Sequence, residues 1–199
     1  WWDEPRAGNV IPIPRWVACQ SAGAVTEPVT LFVDVAIDRS QSVVAVCGAA
    51  DNDVPQIELA AVQPGTDWVT DWVTERLERL QVLAVGARSS GPVASLLPEL
   101  REACDDADVP FHKVGSGEFS GMCGGLYDAV MAGQVKHLGD ERLTKALVGA
   151  RKHQVLDAWQ WERTRVDTDA APLVAVTGAH ALFLQRRKDL AYDALNNIW

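Results

Sequence analysis

Sulfur chemistry has little to work with in this chain of 199 residues. The four cysteines, Cys19, Cys47, Cys104 and Cys123, form no C-x-x-C pair and no zinc spacing. They read as reduced structural residues of a cytosolic protein. No apolar run reaches the ~18 residues that a membrane span needs. The opening Trp1-Trp2-Asp3-Glu4-Pro5-Arg6 lacks the basic-then-apolar order of a signal peptide. Without an initiator methionine, the chain reads as the C-terminal part of a longer protein or a processed product. A P-loop is missing, so phosphate cradling of that kind is excluded. Gly115-Ser116-Gly117 is followed by Ser120 where a dinucleotide fingerprint needs glycine. There is no Gly-x-Ser-x-Gly elbow. His112, His137, His153 and His180 lie far apart and read as surface or hydrogen-bonded residues rather than metal ligands.

What is present is an ordinary globular composition, 48% hydrophobic and 23% charged, long enough for one substantial core. The net charge of −9 argues against a nucleic-acid binder. Its distribution weakens that argument. Residues 1–135 carry −11 and residues 136–199 carry +2. Between Lys136 and Arg165 stand seven basic residues against four acidic ones. Such a strip either guides a phosphate backbone or is a solvated mixed-charge surface.

The most informative stretch is Leu31-Phe32-Val33-Asp34-Val35-Ala36-Ile37-Asp38-Arg39-Ser40, followed by the apolar run from Ser42 to Gly48. A buried strand has little reason to carry a carboxylate, because desolvating an unpaired one costs several kcal/mol or more. An aspartate kept there is paired, hydrogen-bonded or holding a cation. Strands are expected at 31–37, 42–48 and about 55–62, as an antiparallel meander. The spacing of Trp68, Val69, Trp72, Val73, Leu77 and Leu80 predicts a helix with one buried face and a Glu75–Arg79 pair outside. A short strand over 82–85, a helix opened by Ser90-Gly91-Pro92 and bent at Pro98, and a strand over 110–114 follow. Helices are expected at 118–132 and 140–150, an extended segment over 155–166, and a final helix capped by Asp169 and running to about Leu184. Residues 1–30, with four prolines, read as a linker that packs locally through Trp2 or Trp16. Residues 31–199 read as one domain. The order β-β-β-α-β-α-β-α-α-(β)-α is that of an α/β, RNase H-like mixed sheet with helices on both faces.

With the other chemistries set aside, carboxylates remain. Phosphodiester hydrolysis with Mg²⁺ or Mn²⁺ needs oxygen ligands that hold two cations ~3.5–4 Å apart. Asp34 on the first strand fits one ligand position. Asp169 at the start of the last helix fits a second, although a plain helix cap explains it as well. Asp38 either joins them or closes its turn.

Taken together, these residues resemble the nuclease domain of the phage terminase large subunit, in the form found in phages of actinobacteria. The similar pieces are Asp34 to Ser40, Gly91-Pro92 to Leu100, Tyr127-Asp128-Ala129-Val130 with His137-Leu138-Gly139, Ala146 to Arg151, Asp157 to Trp161, Asp169 to Ala175 and the ending Tyr192 to Trp199. No piece is specific alone; their order over residues 30–199 is. The resemblance implies a metal-dependent endonuclease that cuts concatemeric double-stranded DNA during packaging in the host cytoplasm, with no membrane partner. It also implies partners: the terminase ATPase domain, the small terminase subunit and the portal of the procapsid.

Direct metal ligands would be Asp34 and Asp169, completed by Asp38 or Glu118; at the start of a helix, Glu118 also has a simple helix-dipole role. Lys136, Arg151, Lys152 and Arg163 would contact the DNA backbone. One departure stands out. The family usually places an acid just after the fourth strand, where this chain reads Gly86-Ala87-Arg88-Ser89-Ser90. The expected consequence is weak Mg²⁺ binding, a weak second ion and activity better supported by Mn²⁺. The same departure favours a second reading, a catalytically weak docking or regulatory domain of the packaging motor. A third is another RNase H-like nuclease, of the resolvase or transposase type.

Overall fold

The computed structural model describes residues 9–50, 53–164 and 167–196. Trp2 and Arg165, both singled out in the sequence, lie outside them. Three antiparallel strands form the centre: β1 (Thr26–Val35), β2 (Gln41–Ala49) and β3 (Pro55–Pro64). Strand β4 (Val82–Arg88) runs parallel to β1, β5 (Phe111–Val114) parallel to β4, and the short β6 (Lys136–His137) parallel to β3. The sheet order is β5-β4-β1-β2-β3-β6, a mixed sheet with β1 inside it.

The period-2 alternation of β1 divides two cores. Leu31, Val33 and Val35 pack with Val69 and Val73 of α2 (Val69–Arg79) and with Leu100 and Cys104 of α3 (Leu97–Asp106). Phe32 packs on the opposite face with α4 (Ser116–Met131), α5 (Glu141–Val148) and α6 (Ala171–Asn196). The helices therefore cover both faces, as expected. Thr30 shares the Phe32 face and donates its hydroxyl to the carbonyl of Ala179 in α6 at 2.8 Å. By the same alternation Asp34 points toward that face.

Several boundaries differ from the expected ones. A 3-10 turn over Pro92–Leu96 precedes α3, so Pro98 sits in the first turn of a new helix instead of bending one helix. The segment after α5 is a two-stranded hairpin, β7 (Lys152–Val155) and β8 (Ala158–Trp161), separate from the main sheet. The last helix runs well past Leu184. Residues 9–30 do not behave as a linker. A short helix, α1 (Ile13–Ala18), opens at Pro14, and Ile11, Trp16 and Cys19 join the core beside α4 and α6. Trp16 stacks on His137 with ring centroids 3.8 Å apart, and the His137 Nε2 lies 2.9 Å from the Trp16 carbonyl oxygen. The four cysteines are free and buried. Glu75 and Arg79 make the expected pair at 2.9 Å.

Candidate active site

Asp34 stands near the C-terminal end of β1 and is completely buried. Its partner comes from the turn after β8. Arg163 follows β8 by two residues, and its side chain reaches the end of β1. Arg163 donates from Nη1 to Asp34 Oδ1 at 3.1 Å and from Nη2 to the carbonyl of Val35 at 2.6 Å. Nη2 also lies 2.7 Å from Asp34 Oδ2, close enough for an ion pair but outside hydrogen-bond alignment. The Arg163 side chain is only 8% exposed.

Glu162 fixes this turn. Its Oε1 accepts from the amides of Arg163 (3.0 Å) and Thr164 (2.9 Å) and from the Thr164 hydroxyl (2.9 Å). The Thr164 amide is the main cause that holds the Glu162 carboxyl down at about 2, so it stays ionised. His153 of β7 reaches its other oxygen at 3.4 Å.

A second guanidinium stands beside the pair. The parallel register matches Val33 with Ala87, which puts Arg88 level with Asp34 on the next strand. Gly86 and Arg88 share the α6 face; a Cβ on Gly86 would meet Leu182 and Phe32. Arg88 lies 4.9 Å over the Phe119 ring and donates from Nη2 to Gln160 Oε1 at 3.2 Å. Gln160 in turn donates to the carbonyl and hydroxyl of Ser116 and to the hydroxyl of Ser120, which ties β8 to the start of α4. Burial pushes the Asp34 carboxyl up to about 6, while the charges of Arg163 and Arg88 pull it down. Burial lowers the Arg88 pKa, and the neighbouring Arg163 charge lowers it further.

This polar centre is unfinished. Asp34 Oδ2, Arg88 Nε and Arg163 Nε are three of the seven buried side-chain atoms without a hydrogen bond among the described residues. Structural networks usually satisfy such atoms, so three of them at one strand end make this centre the candidate site.

The remaining sequence-selected residues fall around it unevenly. Asp169 caps α6, accepting from the Ala171 amide at 2.9 Å, and its Oδ2 accepts from Gln41 Nε2 at 2.7 Å. Gln41 starts β2 and lies on the same face as Val43, the register partner of Asp34. Both of the expected principal carboxylates are thus at one end and on one face of the sheet. Asp38 is exposed and closes its turn through the Ser40 amide at 3.0 Å. Glu118 is exposed on the first turn of α4, and among the described residues no hydrogen bond joins it to Asp34 or Asp169. Arg151 and Lys152 are exposed at the open end of the β7–β8 hairpin; the Arg151 carbonyl accepts from the Glu162 amide at 2.8 Å. The Lys152 ammonium sits 4.7 Å over Trp159. Lys136 pairs with Gln56 at the opposite end of the sheet. That is six residues of β3 from the level of Asp34, roughly 20 Å at ~3.3 Å per residue.

Sequence reasoning did not find Arg88, Gln41, Gln160 or Glu162.

As arranged, these residues do not fit a pair of bound divalent ions. The Asp34 oxygens face Arg163, and Asp169 is engaged by Gln41 and the helix amide. Among the described residues no three His, Cys, Asp or Glu side chains gather as a metal-ligating group. Arg88 adds positive charge where a second ion needs negative charge.

No protein-family model and no curated protein sequence matches the chain. Solved structures do. The large terminase of bacteriophage HK97 superposes with a TM-score of 0.71 at 13% identity, covering 86% of this chain and 43% of that one. The chain thus spans less than half the length of that protein. The large terminase nuclease of thermophilic phage G20c with bound cobalt gives 0.65 at 14% identity, over 89% and 98% of the two chains. A mutant nuclease domain of the large terminase subunit gp2 of bacterial virus Sf6 with manganese gives 0.64 at 10% identity, over 86% and 98%. The mixed sheet and its helices are therefore the RNase H-like fold of the nuclease domain of large terminases.

Proposed function

We propose that this chain is the nuclease domain of the large subunit of a viral DNA-packaging terminase. Its substrate would be concatemeric double-stranded DNA, cut by phosphodiester hydrolysis with Mg²⁺ or Mn²⁺. The observation that carries the reading is the position of Asp34: a fully buried carboxylate at the end of the central strand, on the face that also holds Asp169, in a centre with unsatisfied polar atoms. Related folds solved with manganese, magnesium or cobalt support divalent ions as the cofactor class. Such ions polarise a phosphoryl oxygen and generate a nucleophile from water.

The chain's own residues have simpler roles. Arg151 and Lys152 present exposed positive charge beside the centre and would meet backbone phosphates, which position DNA without reading its sequence. Glu162 orients Arg163. Asp169 fixes the start of α6 next to Gln41. The ATPase domain of the same subunit, the small terminase subunit and the portal would be the partners, and the host cytoplasm the place of action.

A second reading has a specific observation in its favour. Two arginines around one aspartate suit a domain that keeps the fold for docking in the packaging motor and has lost most of its cutting. Incubating the chain with supercoiled plasmid in millimolar Mn²⁺ separates the two. The nuclease reading expects nicked and then linear DNA, with Asp34→Asn and Asp169→Asn both at background. An inert wild-type chain that still binds DNA would transfer the assignment to the docking module.

A further inference from the structure

The disagreement between this centre and a metal site has a physical content. We infer that Arg163 occupies the cation position of Asp34, so that its guanidinium and a divalent ion compete for one carboxylate. The inference rests on the reading of Asp34 as the metal-facing acid.

Three features carry it. The guanidinium lies against both oxygens of Asp34, at 3.1 and 2.7 Å, so a divalent ion bound to this carboxylate would have to compete with it. Arg88 adds a second positive charge to the same buried centre, and like charges repel strongly where water is excluded. The grip is nevertheless incomplete. Among the described residues only one oxygen of Asp34 makes an aligned hydrogen bond, and Nε of Arg163 makes none.

A guanidinium with free donors is matched to phosphate, which it binds with two parallel hydrogen bonds. The exposed Arg151 and Lys152 bring a DNA backbone to this end of the sheet. A backbone phosphate that draws Arg163 off Asp34 would uncover the carboxylate for a divalent ion. DNA and metal would then favour each other's binding, and by linkage the effect is reciprocal. Without DNA, the centre carries its own positive charge and stays closed to metal.

Electron paramagnetic resonance of free Mn²⁺ tests this on the folded chain, with Arg163→Gln, Arg163→Lys and the double variant Asp34→Asn with Arg163→Gln. Arg163→Gln should bind Mn²⁺ at least ~10-fold tighter than wild type, the scale of one removed competing charge. The Lys variant, which keeps the charge on a looser and non-bidentate stem, should fall between them. The double variant should lose the gain. If Arg163→Gln does not fold, the Lys variant decides alone by binding tighter than wild type or not. Wild-type binding as tight as that of either variant overturns the competition while leaving the metal reading of Asp34 intact. Absence of binding in every folded variant removes both.

Discussion

Asp34 is expensive to bury and is buried completely. Its neighbours explain how: Arg163 and Arg88 offset a desolvation that would otherwise drive the carboxyl to its neutral form. His180 shows the opposite solution on α6. It is 1% exposed, its Nε2 has no hydrogen-bond partner among the described residues, and burial holds its pKa down at about 4, so the fold keeps it neutral.

The two groups give opposite pH dependences. His180 has a folded pKa below its unfolded value of about 6.5, so its contribution is full above that pH and is lost as pH falls toward 4. Asp34, raised to about 6 from an unfolded ~3.9, contributes below the lower value and loses that contribution as pH rises through 6. Replacing His180 with Leu should therefore remove up to ~3 kcal/mol of the acid-side loss between pH 6.5 and 4. Urea denaturation at several pH values reads this directly; an unchanged acid limb would contradict the burial argument.

Among the elements, α6 does the most positional work. It lies across β1 and β2 and carries Asp169 at its start and His180 in its middle. Its close approach depends on Gly178: a Cβ there would clash with the Phe32 ring. Glycine inside a helix ordinarily costs about 1 kcal/mol relative to alanine. Here that ranking should invert, and Gly178→Ala should destabilise by about 1–3 kcal/mol through overpacking, measured by chemical denaturation. A stabilised variant would mean that Phe32 has room to move.

The element scale also shows what the sequence could convey. The three central strands were legible because runs such as Leu31 to Val35 are apolar and β-branched. The true start of β1 at Thr26 was hidden by Glu27 and Pro28. The far half of α6 was hidden because its apolar pattern gives way to Gln185-Arg186-Arg187-Lys188-Asp189, a charged surface that still extends the helix. Pro12 and Pro14 made the segment before β1 read as a linker, whereas Pro14 opens α1 and Trp16 finds its partner 121 positions away at His137.

At the scale of the molecule, the candidate site was half legible. A carboxylate in an apolar strand singles out Asp34 as a candidate, and a cap before an apolar helix singles out Asp169; the structure places both at one end of the sheet. That Arg163 and Arg88 close on Asp34 could not be read, because Arg163 lies 129 positions from it in the chain and arrives only through the β7–β8 hairpin. The same topology explains the charge distribution. Arg151 and Lys152, in the basic strip, pair with the segment Trp161-Glu162 that leads to Arg163, whereas Lys136 in the same strip pairs with Gln56 at the far end of the sheet. Fold, strand-end carboxylates and exposed basic hairpin are the grounds on which this end of the sheet is proposed as the working end.

The most direct test of that claim is the anomalous difference map of crystals soaked in Mn²⁺, for wild type and Arg163→Gln together. A peak beside Asp34 is expected in the variant, and little or none there in wild type. A variant map empty at Asp34, with the site free of crystal contacts, would contradict it.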